Sequence, residues 1–154
     1  MRISEFMTRD PAWCVPGTTA QEAAVLMRDH DCGAIPVVED ENTLKLVGVI
    51  TDRDIVMRSL AVGRDPVRLS ARDVMSSPVV TLSPEHSVEE CGRLLEEHRI
   101  RRAPVVDAGG RCCGIVAQAD LARRAPERIT ASVVRHVSEQ GAGAATRSSR
   151  ANES

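Results

Sequence analysis

A chain of 154 residues, 42% hydrophobic and 27% charged, has the make-up of one soluble globular domain or a tight pair of small repeats. Only 1% is aromatic (Phe6 and Trp13, with no tyrosine), which excludes a single-strand nucleic-acid reader built on stacking platforms and demands an aliphatic core. The net charge of −2 and pI near 6.1 lack the basic excess that phosphate backbones require, so no nucleic-acid partner is expected.

Among 20 basic residues only Lys45 is a lysine. Arginine suits forked contacts to phosphate or carboxylate, although a GC-rich genome gives the same skew. No basic segment leads into an apolar run, and no apolar stretch approaches 18 residues, so a cytoplasmic chain without membrane contact is expected. Cys14, Cys32, Cys91, Cys112 and Cys113 form no CxxC pair, which favours reduced thiols.

In chain order, Thr19-Ala20-Gln21-Glu22 is a capping box that opens a helix with apolar Ala20, Ala23, Ala24 and Met27 on one face. Strands are predicted over 34–39 and 44–51 around Asp40-Glu41-Asn42, then a helix from 52 to about 60. Residues 61–73, broken by Gly63 and Pro66, read as a connector. The pattern then recurs. Ser87-Val88-Glu89-Glu90 is a second capping box, followed by apolar Val88, Cys91 and Leu95, with Gly92 weakening the helix slightly. Strands over 102–106 and 112–117 and a helix over 118–124 follow. Pro126 suits the first turn of a last helix over 126–139, and 140–154 holds too little apolar content to pack and is expected to be disordered.

Anchors confirm an internal repeat. Met7/Met75, Pro16/Pro84 and Pro36/Pro104 share an offset of 68, and Gly48/Gly114 and Asp54/Asp120 share 66, so the second loop is two residues shorter. The expected fold is α/β (α+β). Its two units, 1–68 and 69–125, each run strand–helix–strand–strand–helix.

Gly48-Val49-Ile50-Thr51-Asp52-Arg53-Asp54 and Gly114-Ile115-Val116-Ala117-Gln118-Ala119-Asp120, with Ile35-Pro36-Val37-Val38 and Ala103-Pro104-Val105-Val106, resemble a tandem CBS (cystathionine β-synthase) domain pair. The likeness covers roughly residues 3–125 and is to the small, stand-alone bacterial type. It implies a pseudo-twofold module with two clefts, adenine-nucleotide ligands, a homodimer and no catalysis.

The T-x-x-D segment has a physical reason to hold a nucleotide. Thr51 stands where a strand becomes a helix, where its hydroxyl and free N–H groups suit an anion. Asp54 offers two acceptor oxygens to the adjacent ribose hydroxyls. The alternative is that Thr51 and Asp54 only cap the helix with each other. Ala117 removes the hydroxyl from the second repeat, so one competent site at Asp54 and one weaker site at Asp120 are expected. The weaker site would include Ser76, Val79 and Val80. Arg101 and Arg102, where the first repeat has Gly33 and Ala34, are assigned by the resemblance to the phosphates of the nucleotide held at Thr51 and Asp54, with Arg53 as a third candidate. The resemblance also assigns the base to Thr8, Ala12, Trp13, Cys32, Gly33 and Ala34. Trp13 would cover this pocket or fill a core or dimer contact.

AMP is the first ligand to test, with ADP, ATP, NAD and S-adenosylmethionine as alternatives. No metal is expected, because His30, His86, His98 and His136 do not group with cysteines at zinc spacing. No nucleophile motif or phosphate-cradling glycine loop is present, so no enzyme is expected. The expected function is a regulatory module that reports nucleotide to an unidentified protein. The alternatives are a ligand-independent dimeric scaffold and a thiol redox sensor.

Overall fold

The computed structural model describes residues 1–77 and 79–124. The helix expected over 126–139, the tail over 140–154 and His136 lie outside those residues.

Both expected capping boxes form. On α1 (Ala20–Asp29) the Thr19 hydroxyl accepts from the Glu22 N–H at 3.0 Å, and the Glu22 carboxylate accepts from the Thr19 N–H at 2.9 Å. On α4 (Val88–His98) Ser87 and Glu90 repeat the exchange at 3.1 and 2.7 Å. Each box satisfies two N–H groups that a helix start leaves without partners. The inner faces bury Ala20, Ala23 and Met27 on α1 and Val88, Cys91, Gly92 and Leu95 on α4.

Two antiparallel hairpins follow the helices. β2 (Ala34–Val38) pairs with β3 (Leu46–Thr51), placing Ala34 opposite Thr51. β4 (Arg102–Val106) pairs with β5 (Cys112–Ala117), placing Arg102 opposite Ala117. The register shifts at Val37/Val38 and again at the equivalent Val105/Val106. The predicted strand over 44–51 begins two residues late, because Leu44 takes a left-handed turn conformation (φ 51°). Its counterpart Gly110 does so at φ 81° without a Cβ to strain. The two turns meet: Lys45 bridges Arg111, the Leu46 N–H donates to the Gly110 carbonyl at 3.1 Å, and the Cys112 N–H donates to the Leu44 carbonyl at 2.9 Å. The opening strand of each unit shrinks to one parallel bridge, Cys14 with Val37 and Leu82 with Val105.

The sequence repeats are not the packing units, because their leading segments are exchanged. β1 (Thr8–Arg9) pairs with β5 of the second repeat, giving the order β1-β5-β4. Ile3 and Phe6 fill the second core, among Leu82, Val88, Leu95, Val105, Val116 and Leu121. Reciprocally, Ser76 bridges Val49 of β3. The stretch read as a connector contains α3 (Ala71–Val74), and Leu69, Ala71 and Val74 pack with Ala23, Ile35, Ile50 and Ile55 in the first core. This exchange explains the shared glycine of the two G-h-h segments. A Cβ on Gly48 would lie 2.5 Å from the Met75 sulfur, and one on Gly114 would lie 2.5 Å from the Met7 sulfur.

Both cores are aliphatic, as the composition requires. Ile35, Val37, Ile50, Leu95, Val105 and Val116 are fully buried, each contributing about 1.5–3 kcal/mol. Among the described residues no helix is long and apolar enough to cross a membrane.

Candidate functional site

The site is built where β3 runs without a loop into α2 (Asp52–Arg58). The Thr51 hydroxyl accepts from the Asp54 N–H at 3.0 Å, and Asp54 Oδ2 accepts from the Thr51 N–H at 3.0 Å. The mutual cap weighed from sequence is therefore formed. It leaves chemistry to spare, since the Thr51 hydroxyl hydrogen is free to donate. Asp54 Oδ1 lies outside the cap, 4.0 Å from Arg58. The expectation of free N–H groups for an anion is corrected: Asp52 N–H donates to the Gly33 carbonyl at 3.0 Å, Arg53 N–H to Asp52 Oδ1 at 2.8 Å, and Asp54 N–H to Thr51.

The second repeat supplies one side chain to this end. Arg102 Nη1 donates to the Gly33 carbonyl at 2.8 Å and lies 3.6 Å from Asp52 Oδ1. Gly33 is needed for this approach, because a Cβ there would come 2.7 Å from Arg102 Nη2 and 2.8 Å from Asp52 Oδ2. The fold thus brings together Gly33, Ala34, Thr51, Asp54 and Arg102 from sequence positions up to 69 apart. Arg53, Arg101 and Cys32 are exposed nearby along the chain. The Arg101 carbonyl accepts from the Gln118 N–H at 2.7 Å, as the Gly33 carbonyl accepts from Asp52.

Other expected residues fall elsewhere. Thr8 lies opposite Ile115 in the second repeat's sheet, whereas Ser76 bridges Val49, two residues from Thr51. These two were expected at the opposite sites, and the lead exchange reverses them. Trp13 is 37% exposed and lines a hollow with Asp10, Pro11, Val38, Leu44 and Cys112 near the hairpin turns. Val38 is four residues from Ala34, roughly 13 Å along the strand, so Trp13 is not beside Thr51. Ala12 packs on the first core. Val79 and Val80 are half-buried and lead into Leu82 beside the second hairpin.

At the second site the Ala117 N–H donates to Asp120 Oδ2 at 2.8 Å. That is half of the Thr51–Asp54 exchange, since no hydroxyl answers it. Asp52 is the residue that sequence reasoning passed over. Its signal was an acid lying between the two motif positions and within reach of an arginine-rich strand start.

Four of the five thiols are poor nucleophiles. Burial pushes Cys14 up to about 11, Cys91 up to about 12 and Cys112 up to about 11, and it raises Cys113 as well. All four are protonated at neutral pH, which weakens the redox-sensor alternative for them.

Comparison with known proteins matches the CBS domain family over residues 3–61 and again over 71–127. The CBS domain-containing protein YhcV of Bacillus subtilis is 45% identical over 120 residues, covering 78% of this chain and 82% of YhcV. A crystal structure of CBSX2 in complex with AMP superposes with a TM-score of 0.68 at 27% identity, covering 80% of this chain and 95% of that one. The CBS domain pair of protein MJ0100, in complex with 5′-methylthioadenosine and S-adenosyl-L-methionine, gives 0.72 at 28%, covering 80% and 94%. Hypoxic Response Protein I, with two coordinated zinc ions, gives 0.71 at 35%, covering 82% and 100%.

That zinc-bearing structure overturns the expectation that no metal is involved. Sequence spacing tests only ligands that are close along the chain, and ligand sets gathered by folding or between chains escape it. Among the described residues of this chain no three His, Cys, Asp or Glu side chains form a metal-holding group.

Proposed function

Because the chain belongs to the CBS domain family and carries two copies in tandem, we propose that it is a non-catalytic regulatory module that binds an adenine nucleotide, AMP first, at the Thr51 end of the β2–β3 hairpin. The observation that carries this reading is Arg102. It leaves the second repeat to stand at Gly33 and Asp52, beside the Thr51–Asp54 cap. A ribose would take the Asp54 oxygen that lies outside the cap, beside Arg58, and the hydroxyl hydrogen of Thr51, and a phosphate would take the Arg102 guanidinium. The adenine would lie against backbone and small side chains around Gly33 and Ala34. A ligand held by both repeats favours the arrangement in which both contacts are made, and so shifts the population toward it.

Calorimetric titration with AMP tests this. One tight site that Asp54→Ala abolishes is expected, and two equal, independent sites would contradict it. We also propose a homodimer and an unidentified regulated protein. Exposed Val56, Met57, Leu60 and Val62, on α2 and the turn after it, are the apolar surface a second copy would cover. Light scattering should give a dimer mass that Leu60→Glu halves; an unchanged mass would place the contact elsewhere.

A further inference from the structure

The Arg102 guanidinium already has an anion. Asp52 is the first residue of α2, and its carboxylate meets the Arg102 guanidinium where a ligand phosphate would. Oδ1 accepts from the Arg53 N–H at 2.8 Å and stands 3.6 Å from Arg102 Nη1. The Asp52 side chain is 62% exposed and that of Arg102 33%, so solvent and small solutes reach both. Gly33 lies between them, close enough that a Cβ would touch both groups. The second repeat has no such arrangement: Gln118 replaces Asp52, Ala34 replaces Arg102, and Arg101 replaces Gly33.

We propose that Asp52 is a specificity-determining residue that competes with ligand phosphate for Arg102. In the free protein its carboxylate is a built-in surrogate anion that ties the two repeats together. An incoming phosphate must displace it or be repelled by it. A ligand with an uncharged group at the same place meets no such competitor. Asp52 therefore lowers the preference for phosphorylated adenosines over uncharged ones, and phosphate binding is coupled to breaking an inter-repeat contact. The inference rests on the adenine-site reading for the identity of the ligand, but on Arg102 and Asp52 alone for the competition.

The test uses the full chain, Asp52→Asn, and Asp52→Asn combined with Arg102→Gln, each titrated with adenosine, AMP and inorganic pyrophosphate. Asp52→Asn is expected to bind AMP and pyrophosphate about fivefold tighter, the weight of one partly exposed ion pair, with adenosine unchanged within about twofold. The gain is expected to vanish in the double variant. An unchanged AMP-to-adenosine ratio and unchanged pyrophosphate binding in Asp52→Asn would overturn the proposal, as would a gain that survives the loss of Arg102. Should adenosine and AMP fail to bind any form while pyrophosphate shows the Arg102-dependent gain, the competition stands and the adenine reading falls.

Discussion

The two strand-to-helix junctions share one backbone plan and differ in what their side chains do with it. In both, a glycine carbonyl or its equivalent accepts from the first helical N–H, and an aspartate three residues on accepts from the last strand N–H. At Asp54 a threonine hydroxyl closes the cap, and an arginine arrives from the other repeat. At Asp120 an alanine leaves the cap half made, and the residue equivalent to Arg102 is Ala34. The lesson is that a duplicated scaffold supplies positions, whereas the chemistry depends on two or three side chains that duplication does not keep equal.

The likeness of the scaffolds is tested by the largest effect. Gly48→Val and Gly114→Val each force a branched side chain onto an exchanged methionine, 2.5 Å from where its Cβ would stand. Each should cost roughly 1–3 kcal/mol in urea denaturation. Similar losses in both would show that the lead exchange supports the two repeats equally, and a loss at one glycine alone would break the symmetry argument.

The unlikeness of the sites is tested next. Arg102→Ala should weaken AMP about tenfold, close to 1.4 kcal/mol, and adenosine less than twofold. Equal losses for both ligands in calorimetry would remove Arg102 from the phosphate. Ala117→Thr should then complete the cap at Asp120 and stabilise the fold by about 1 kcal/mol, with Thr51→Ala costing about as much. AMP affinity at Asp120 should hardly change in Ala117→Thr, because Ala34 still supplies no guanidinium. A new tight site there would mean that the hydroxyl, not the arginine, separates the two junctions.

The features legible in sequence are those encoded within a few residues. Thr19/Glu22 and Ser87/Glu90 announce two helix starts, and short runs rich in valine and isoleucine around polar turns announce both hairpins to within about two residues. Contacts between distant segments were not legible. Nothing near Met7 or Met75 says that each will lie against the other repeat's glycine, so Thr8 and Ser76 were expected at the wrong junctions. α3 hides in a stretch broken by Gly63 and Pro66, because four residues are too short for a periodic signal. The pairing of Arg102 with Asp52 depends on the same long-range packing. The contrast between Arg102 and Ala34 and the acid at position 52 were both visible, but not that folding sets one against the other.

The last effect concerns the two cores, is absent at neutral pH and appears only in alkali. Cys14 lies in the first core and Cys91 in the second, and burial raises them from 9.0 to about 11 and about 12. A raised folded value means that the thiols ionise more readily in the unfolded chain. Their contribution to stability is complete below pH 9 and is lost as pH climbs toward the folded values, by up to about 1.4 kcal/mol per thiol per pH unit. Urea denaturation at pH 8 and pH 10 under reducing conditions should show this fall in the wild type. Cys91→Ala and Cys14→Ala should each be less stable at pH 8 yet lose less between the two pH values. The separation should extend further into alkali for Cys91, whose folded value is the higher. An equal pH-dependent fall in wild type and both variants would mean that groups other than these thiols set the alkaline limit, and that the two cores are alike in this respect.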